Sequence, residues 1–373
     1  MSTSTNNQIV SKEIRLKERP SGLITEENFE LVEVKVQEPG QGEFLVQNLW
    51  ISVDPHMRIY LTKGTKLSPA LPLNKPPISG CIGQIIESKN NKYKVGEYVL
   101  GNSGWREYWI SNGNSNNNTL DDVVKIDSKI APIQHFLGIL GITGFTAYIG
   151  LLKIGELRQN SDIVYVSAAA AGGVGSIACQ IAKIQGCTVI GSAGNDDKVE
   201  WLINNLEIDD AFNYKKKENE DQTNYYNNSI SSKLKKLCPN GIDLYFDNIG
   251  GHHLEAAIYN MNIFGRIVLC GATSQYNLIN DDLNNKKEDP YLLSLPVGPT
   301  NLNLAISHRL KLQGFLFNDH YDILDEFRSK MSKWIKENRL KWKETVYEGL
   351  ECAPKAFIEL FKGGNIGKTL VKI

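Results

Sequence analysis

A run of small residues between two apolar segments constrains the fold of this chain more than any other feature. It lies in the stretch VSAAAAGGVGSIACQIAKIQGCTVIGSAGNDDK, which spans Val166–Lys198. The segment DIVYV before the run is typical of a buried strand, and apolar residues after it recur with helical spacing. Within the run, Ala170–Gly175 match the dinucleotide-binding pattern G-x-G-x-x-G with alanine in its first glycine position. This context predicts a dinucleotide cradle, and the alternative is a turn whose small residues only permit tight packing.

The length and composition favour an ordinary globular protein with two domains. The chain has 373 residues, of which 41% are hydrophobic and 22% charged, and a net charge of -1. That charge indicates neither a nucleic-acid nor a membrane partner. The N-terminal segment lacks the apolar region of a signal peptide, and no apolar run approaches the ~18 residues of a membrane span. Together with six isolated cysteines, these features predict a cytoplasmic protein with reduced thiols.

The pattern of predicted elements changes once along the chain. Residues 30–130 carry short β-like runs separated by glycine, proline and asparagine, which is typical of a β-rich, partly open barrel. From about residue 136, apolar strands alternate with helices, which predicts a parallel sheet covered on both faces. The predicted fold class is therefore α/β, with a doubly wound Rossmann sheet and a β-rich domain. We assign residues 1–135 and 320–373 to a substrate domain and residues 136–319 to a cofactor domain.

The end of the second predicted strand bears on which dinucleotide binds. NAD-selective folds place a carboxylate there, which binds the ribose hydroxyls. In this chain the strand CTVIGSAG ends in Gly191–Gly194 without an acidic residue, and Lys198 follows within a turn. A lysine at this place suits the 2′-phosphate of NADP as a point charge. The sequence therefore predicts NADP, and the alternative is that Lys198 is a solvated helix residue beside Asp196 and Asp197.

The sequence lacks the ligand pattern of a zinc dehydrogenase. Such an enzyme needs a cysteine and a His–Glu pair in its first domain, and the stretch ISGCIGQI has Cys81 and Ile82 at the place of that pair. The six histidines include no HExxH pattern, and His252 and His253, which follow DNIGG, are expected in an exposed turn. We therefore expect no metal. Without a metal to polarise an alcohol, hydride transfer to an activated C=C bond is favoured over alcohol oxidation.

Several longer stretches resemble a known family. From the N-terminus they are NLWISVDPHMR, GITGFTAYIGLL, FNYK, YFDNIGG, GRIVLCGATSQYN and GGNIGKTLVKI. In these stretches the chain resembles the zinc-independent medium-chain dehydrogenases/reductases. Within that family it is similar to the prostaglandin reductases (15-oxoprostaglandin 13-reductases), the leukotriene hydroxydehydrogenases and the NADP-dependent alkenal double-bond reductases. The resemblance implies a Rossmann domain with a GroES-like barrel domain, NADPH as the cofactor, and a homodimer or a monomer.

The resemblance also implies a set of site residues. Those that would bind the cofactor are Gly172, Gly173, Val174 and Gly175 at the pyrophosphate, Lys198 and Tyr214 at the 2′-phosphate, Asn248, Cys270, Gly271 and Tyr276 along the rest of the cofactor, Phe315, Leu316 and Phe317 near the nicotinamide, and Asn365 from the C-terminal segment. Tyr276 is the catalytic candidate, because such enzymes are thought to aim this residue at the substrate carbonyl or at the site of proton delivery.

Two positions depart from the pattern of the family. His56 stands in SVDPHMR where the family usually has tyrosine, which bears on the shape of the substrate site. One extra alanine precedes the glycine turn in SAAAAGGVG, which predicts a longer strand or a bulge.

The predicted function is NADPH-dependent reduction of the C=C bond of a small apolar enone, such as a 15-oxoprostaglandin or a 2-alkenal. Hydride would pass to the β-carbon, while Tyr276 donates a hydrogen bond to the carbonyl oxygen as negative charge builds there. Two alternatives stay open. One is an NADPH quinone oxidoreductase, whose substrate needs no α-carbon proton, and the other is a non-catalytic NADPH-binding redox sensor.

Overall fold

The computed structural model describes residues 8–64, 69–113, 122–216, 229–277 and 298–373. The chain divides into two compact units. The first unit consists of Met1–Leu137, Val346–Lys362 and Thr369–Ile373, and the second of Gly138–Thr345 and Gly363–Lys368.

Strands and helices follow one another along the described residues. The strands are β1 (Val10–Leu16), β2 (Phe29–Lys35), β3 (Phe44–Ser52), β4 (Cys81–Ser88), β5 (Tyr98–Gly101), β6 (Tyr108–Ser111), β7 (Val124–Lys125), β8 (Ile163–Val166), β9 (Thr188–Ala193), β10 (Asp210–Asn213), β11 (Ile242–Asp247), β12 (Met261–Leu269), β13 (Lys311–Gly314), β14 (Glu344–Glu348) and β15 (Lys368–Lys372). The α-helices are α1 (Met57–Tyr60), α2 (Ile142–Ile149), α3 (Gly173–Ile184), α4 (Asp196–Asn204), α5 (Ile230–Leu237), α6 (Gly251–Asn260), α7 (Asn303–Ser307), α8 (Leu324–Lys336) and α9 (Ala353–Lys362). Short 3-10 segments cover Glu26–Asn28, Ile133–Leu137, Phe317–Ile323 and Leu350–Cys352, and a π-helical turn, Gly150–Ile154, continues α2. Of the helices in the described residues, none is long and apolar enough to cross a membrane.

The first unit is built on antiparallel strands. β1 and β2 form a two-stranded ribbon, and a larger sheet has the order β14-β15-β3-β4-β5-β7, with β6 also paired to β3. Successive side chains of a strand face opposite sides of the sheet, so one side can bury a core, which here includes Phe44, Trp105 and Phe357. Trp105 contacts Phe29 and Phe357 with ring centroids 5.3 and 5.9 Å apart. This unit corresponds to the β-rich part of the predicted fold.

The second unit contains a parallel six-stranded sheet. Its order is β10-β9-β8-β11-β12-β13, and neighbouring strands run parallel. Numbered from β8, this is the order 3-2-1-4-5-6 of a dinucleotide-binding Rossmann fold. Val164, Tyr165 and Val166 of β8 are fully buried, as expected for a central strand whose two faces are covered. The predicted fold class is confirmed, and the reversal of strand order between β8 and β11 marks where such sheets bind ligands.

The compact units have boundaries of their own, and the predicted domain boundaries stay a prediction. The boundary at 135/136 lies beside the end of the first segment at Leu137. The boundary at 319/320 would assign α8 to the first domain. In the structure, however, Phe327 of α8 packs edge-on against Tyr148 of the second unit, with ring centroids 5.7 Å apart. Which unit binds the substrate stays a prediction.

The two histidines that follow DNIGG do not form the exposed turn that the sequence predicted. Both lie in the first turn of α6. The side chain of His252 is 90% exposed, whereas His253 is only 4% exposed. Neighbouring residues of a helix lie about 100° apart around its axis, so one imidazole reaches solvent and the other is buried.

Candidate cofactor and active site

The glycine turn connects β8 to α3, and its alanines form the turn itself. β8 ends at Val166, so the alanines do not lengthen the strand as predicted. The Gly172 N–H donates to the carbonyl oxygen of Ala169 at 2.8 Å, and α3 begins at the next residue. No side chain among the described residues caps this helix at Gly172. Because the first N–H groups of α3 lack a side-chain acceptor, they can bind a phosphate.

Gly175 is required by the close approach of α3 to the alanine turn. A Cβ atom at this position would lie 2.0 Å from the carbonyl oxygen of Ala169 and 2.8 Å from the Cα atom of Ala170. Both atoms belong to the backbone, so no side-chain rotation can relieve the overlap. The sequence predicted that Gly175 permits close packing of the helix, and the structure identifies the backbone that it approaches.

The C-terminal segment Gly363–Lys368 lies beside the glycine turn. The Gly367 N–H donates to the carbonyl oxygen of Ala171 at 2.7 Å. The Asn365 amide nitrogen donates to the carbonyl oxygen of Gly367 at 2.8 Å, which holds this side chain within the same segment. The structure thus brings Asn365 close to the turn, and its contact with a cofactor stays a prediction.

Lys198 is buried near the N-terminus of α4. Its backbone N–H donates to the Asn195 side chain at 2.9 Å, and its ammonium donates to the carbonyl oxygen of Gly363 at 2.8 Å. At 9% exposure it is not the solvated helix residue of the alternative interpretation. Burial lowers the pKa of the ammonium, and the charge of Lys215 lowers it further. An ammonium has three donors, so one carbonyl partner leaves hydrogens for an anion.

Tyr214 and Lys215 border the tip of β9 together with Lys198. A Cβ atom at Gly194 would lie 3.3 Å from the Tyr214 hydroxyl and 3.6 Å from the Lys215 ammonium. We call Lys198, Tyr214 and Lys215 the basic site. Sequence reasoning missed Lys215, although its place directly after Tyr214, at the carboxyl end of a strand, was a usable signal.

A nearby carboxylate is paired outside the basic site. Asp196 accepts hydrogen bonds from the Lys216 ammonium and the Asn213 amide, both at 3.0 Å. Its charge is therefore balanced by Lys216, which lies outside the basic site.

A buried carboxylate holds the turn that carries Asn248. Asp247 accepts hydrogen bonds from the N–H groups of Ile249 and Gly250 at 3.0 and 2.9 Å, and from the Tyr245 hydroxyl at 2.8 Å. Burial raises the pKa of its carboxyl, while the backbone hydrogen bonds oppose that rise. Sequence reasoning missed this residue, although a carboxylate directly after an apolar strand is unusual enough to mark it.

Asn248 itself lies where the ends of β8, β11 and β12 meet. Its N–H donates to the Ser167 hydroxyl at 3.2 Å. The N–H of Cys270, which follows β12, donates to the carbonyl oxygen of Asp247 at 2.9 Å. The side-chain nitrogen of Asn248 is buried and has no hydrogen-bond partner among the described residues, which fits a group that binds a ligand.

Tyr276 lies against the backbone of the loop that follows β12. The Ala272 N–H donates to its hydroxyl oxygen at 3.4 Å. A Cβ atom at Gly271 would lie 3.4 Å from that oxygen and 3.2 Å from the carbonyl oxygen of Asn248. The structure therefore brings together Asn248, Gly271 and Tyr276, and their roles stay predictions.

The three residues predicted near the nicotinamide follow β13. Phe315 lies against the π-helical turn, where a Cβ atom at Gly150 would be 3.1 Å from its ring. Phe317 contacts Tyr321 with ring centroids 6.2 Å apart, and Leu316 is 64% exposed. These side chains therefore differ in environment, and their contact with a cofactor stays a prediction.

The described residues do not fit a catalytic zinc ion. Cys81 is buried, with its sulfur 3.0 Å from the Ser103 hydroxyl and 3.4 Å from the carbonyl oxygen of Gly101. Burial raises the pKa of this thiol, which disfavours the thiolate that a zinc ligand must become. In the described parts of the chain, no group of three or more His, Cys, Asp or Glu side chains could hold a metal ion.

His56, which replaces the tyrosine of the family, stands at the start of α1 in the first unit. Its ring contacts Tyr60 edge-on, with centroids 6.0 Å apart. A tyrosine ring can make the same kind of contact, so the replacement is compatible with this packing. Its effect on the shape of the substrate site stays a prediction.

Gly175→Ala tests the close approach at the turn. Alanine inside a helix usually stabilises by about 0.5–1 kcal/mol relative to glycine. Here the added Cβ would meet the carbonyl oxygen of Ala169, so we expect destabilisation of about 1–3 kcal/mol in urea unfolding. Gly298→Ala is the control, because a Cβ atom there meets nothing within 4 Å and should change stability by less than about 0.5 kcal/mol. A more stable Gly175→Ala protein would contradict the contact.

Comparison with known proteins assigns these features to one family. Residues 12–119 match the family described as N-terminal domain of oxidoreductase, and residues 173–337 match the family described as zinc-binding dehydrogenase. The chain is 38% identical to prostaglandin reductase 1 of Bos taurus, over 97% of this chain and 99% of that protein. It is 35% identical to the 2-alkenal reductase (NADP(+)-dependent) of Nicotiana tabacum, over 98% of each. The crystal structure of CurA in complex with NADPH from Vibrio vulnificus matches with a TM-score of 0.82 and 33% identity, over 97% of this chain and 98% of that one. The chain therefore belongs to the zinc-independent medium-chain dehydrogenases/reductases.

Proposed function

We propose that this chain is an NADPH-dependent reductase of the C=C bond in α,β-unsaturated ketones and aldehydes. The observation that carries the proposal is the basic site, in which Lys198, Tyr214 and Lys215 surround the tip of β9 and suit a 2′-phosphate. The printed names of two relatives, a 2-alkenal reductase and a prostaglandin reductase, support an enone as the substrate.

Three features of the second unit suit NADPH. The glycine turn suits the pyrophosphate, because the helix that follows Gly172 has no side-chain cap among the described residues. The basic site suits the 2′-phosphate. The side-chain nitrogen of Asn248, which has no hydrogen-bond partner among the described residues, suits a polar group of the cofactor between β8 and β11. Bound there, NADPH supplies the hydride that adds to the β-carbon of the substrate.

Tyr276 is the residue that stabilises the charge formed on the substrate in this proposal. Addition of hydride to an enone leaves negative charge on its carbonyl oxygen. The Tyr276 oxygen accepts a hydrogen bond from the Ala272 N–H. A tyrosine hydroxyl is also a donor, and in this proposal it donates to the substrate oxygen. The proton that the α-carbon then takes up comes from this hydroxyl or from water.

The experiment that tests the proposal follows NADPH absorbance with purified protein. The substrates are a 15-oxoprostaglandin, a simple 2-alkenal and a quinone, with NADH in parallel. We expect NADPH oxidation with both enones and much slower oxidation of NADH. Turnover of the quinone alone would identify a quinone reductase, and tight NADPH binding without any turnover would favour the redox sensor.

Replacement of either lysine of the basic site should weaken the binding of NADPH more than the binding of NADH. Loss of one charged hydrogen bond in Lys198→Ala or Lys215→Ala should raise the dissociation constant of NADPH about tenfold or more, as measured by fluorescence titration. Lys216→Ala is the control, because its ammonium pairs with the exposed Asp196 at 3.0 Å. Equal weakening of both dinucleotides would contradict the assignment of the 2′-phosphate to this site.

Tyr276→Phe tests the hydroxyl without removing the ring. We expect kcat with a 2-alkenal to fall about 10²–10³-fold, because a preplaced donor to the developing negative charge is lost. Quinone reduction should fall much less, since it needs no proton at an α-carbon. Tyr259→Phe, at a tyrosine that is 60% exposed in the same unit, is the matched control. An unchanged kcat in Tyr276→Phe would show that its hydroxyl takes no part.

A further inference from the structure

A chain of buried polar groups links the glycine turn to Tyr214. The N–H of Ala168 donates to the Ser192 hydroxyl at 2.6 Å. The Ser192 oxygen lies 2.9 Å from the Tyr165 hydroxyl, which lies 3.0 Å from Nδ1 of His253. The His253 ring packs against Tyr214, with centroids 4.8 Å apart and ring planes at 82°. Ser192, Tyr165 and His253 are all buried, so bulk water does not compete for these bonds.

The hydrogens of this chain can run in two directions. A backbone N–H only donates, so the Ser192 oxygen accepts from Ala168, but its second lone pair is still available, and either of the Ser192 and Tyr165 hydroxyls can donate to the other. In the direction that leads to the imidazole, Ser192 donates to Tyr165, and Tyr165 donates to Nδ1 of His253. A neutral imidazole that accepts at Nδ1 carries its hydrogen on Nε2. Burial lowers the pKa of His253 to about 3, which keeps the imidazole neutral at neutral pH.

The Tyr214 ring is the aromatic neighbour of the His253 ring. Nε2 is buried and has no hydrogen-bond partner among the described residues. Nearly perpendicular rings at short distance suit an N–H donor directed at an aromatic face. The hydroxyl of the same tyrosine borders Gly194 in the basic site. A change in the Cα–Cβ torsion of Tyr214 would therefore move that hydroxyl and take the ring away from the His253 imidazole.

We propose that His253 is a positioning residue for Tyr214 and thereby sets the preference for NADPH over NADH. The inference rests on the proposed function, because it requires the Tyr214 hydroxyl to contact the 2′-phosphate. The hydrogen bonds run from Ala168, next to the glycine turn, to His253, and a ring contact continues from His253 to Tyr214. This chain of contacts therefore holds the proposed pyrophosphate and 2′-phosphate sites in a fixed relation to each other.

A purely structural role for His253 makes a different prediction. Phenylalanine would fill the same space and keep an edge-to-face contact with Tyr214. It would leave the Tyr165 hydroxyl without an acceptor and would present a C–H in place of the N–H. If His253 only fills space, its replacement changes stability and affects both dinucleotides alike. If it positions Tyr214, its replacement affects NADPH selectively.

The test measures dissociation constants of the full chain for NADPH and NADH. We expect His253→Phe to raise the dissociation constant of NADPH about tenfold and that of NADH less than about twofold. This difference corresponds to the loss of roughly one hydrogen bond at the 2′-phosphate. His252→Phe is the matched control and should leave both constants unchanged, because its side chain is 90% exposed. His253→Gln, which can both accept and donate, should restore most of the selectivity. In nitrogen-15 spectra of wild-type protein, His253 should appear as the Nε2–H tautomer.

Two results would overturn the inference. They are equal weakening of both dinucleotides in His253→Phe, and an Nδ1–H tautomer for His253. If His253→Phe does not fold, Tyr165→Phe gives the same test, because it removes one oxygen and keeps the stacking on Tyr245 at 5.0 Å. The variant should show the same selective loss of NADPH, and an unchanged preference would count against the inference.

Failure of the proposed function gives a different outcome. Wild-type protein that binds NADPH and NADH equally would overturn the NADPH assignment and, with it, the role of His253. Wild-type protein that prefers NADPH but reduces no enone would contradict only the proposed reaction. In that case the binding comparison between His253→Phe and His252→Phe still decides the role of His253.

Discussion

The close contact between α3 and the alanine turn is the constraint on which the candidate site depends. Gly175 lets the helix approach the backbone of Ala169 and Ala170, and this approach determines where the first N–H groups of the helix lie at the end of β8. The C-terminal segment then depends on the same turn, because Gly367 donates to the carbonyl oxygen of Ala171. These contacts are made by backbone atoms, so the geometry of the turn tolerates side-chain changes elsewhere but not a Cβ atom at position 175.

The charged side chains at the carboxyl edge of the parallel sheet differ in the groups that they contact. The Asp247 carboxylate is buried and is satisfied by backbone N–H groups and the Tyr245 hydroxyl, so it shapes a turn and is not presented to a ligand. Asp196 is exposed and is balanced by Lys216. Lys198 is buried near Lys215, and burial together with the charge of Lys215 lowers the pKa of the Lys198 ammonium. The Asp196 and Asp247 carboxylates therefore have partners other than Lys198 and Lys215, as the proposed binding of a phosphate there requires.

The sequence predicted the parallel sheet and the glycine turn because both are encoded in local patterns of apolar and small residues. It predicted Lys198 from its distance to the strand end, but it missed Lys215, whose place beside Gly194 arises only when β9 pairs with β10. The prediction of an exposed turn was wrong for His253, because the sequence does not show which side of α6 packs against the sheet. The polar chain that ends at this imidazole joins separate strands and a helix, so no single segment contains its signal.

The hydrogen bond from the Lys198 ammonium to the Gly363 carbonyl oxygen has a consequence for the stability of the folded chain. This cation loses most of its hydration when the protein folds, before any ligand binds, and one carbonyl oxygen replaces only part of that hydration. The unliganded fold is therefore less stable than its packing alone would make it. An anion bound at Lys198 would offset this loss of stability, since a ligand that binds only the native state stabilises it. With the cofactor bound at Lys198 as proposed, its concentration would shift the equilibrium between the folded and the unfolded chain.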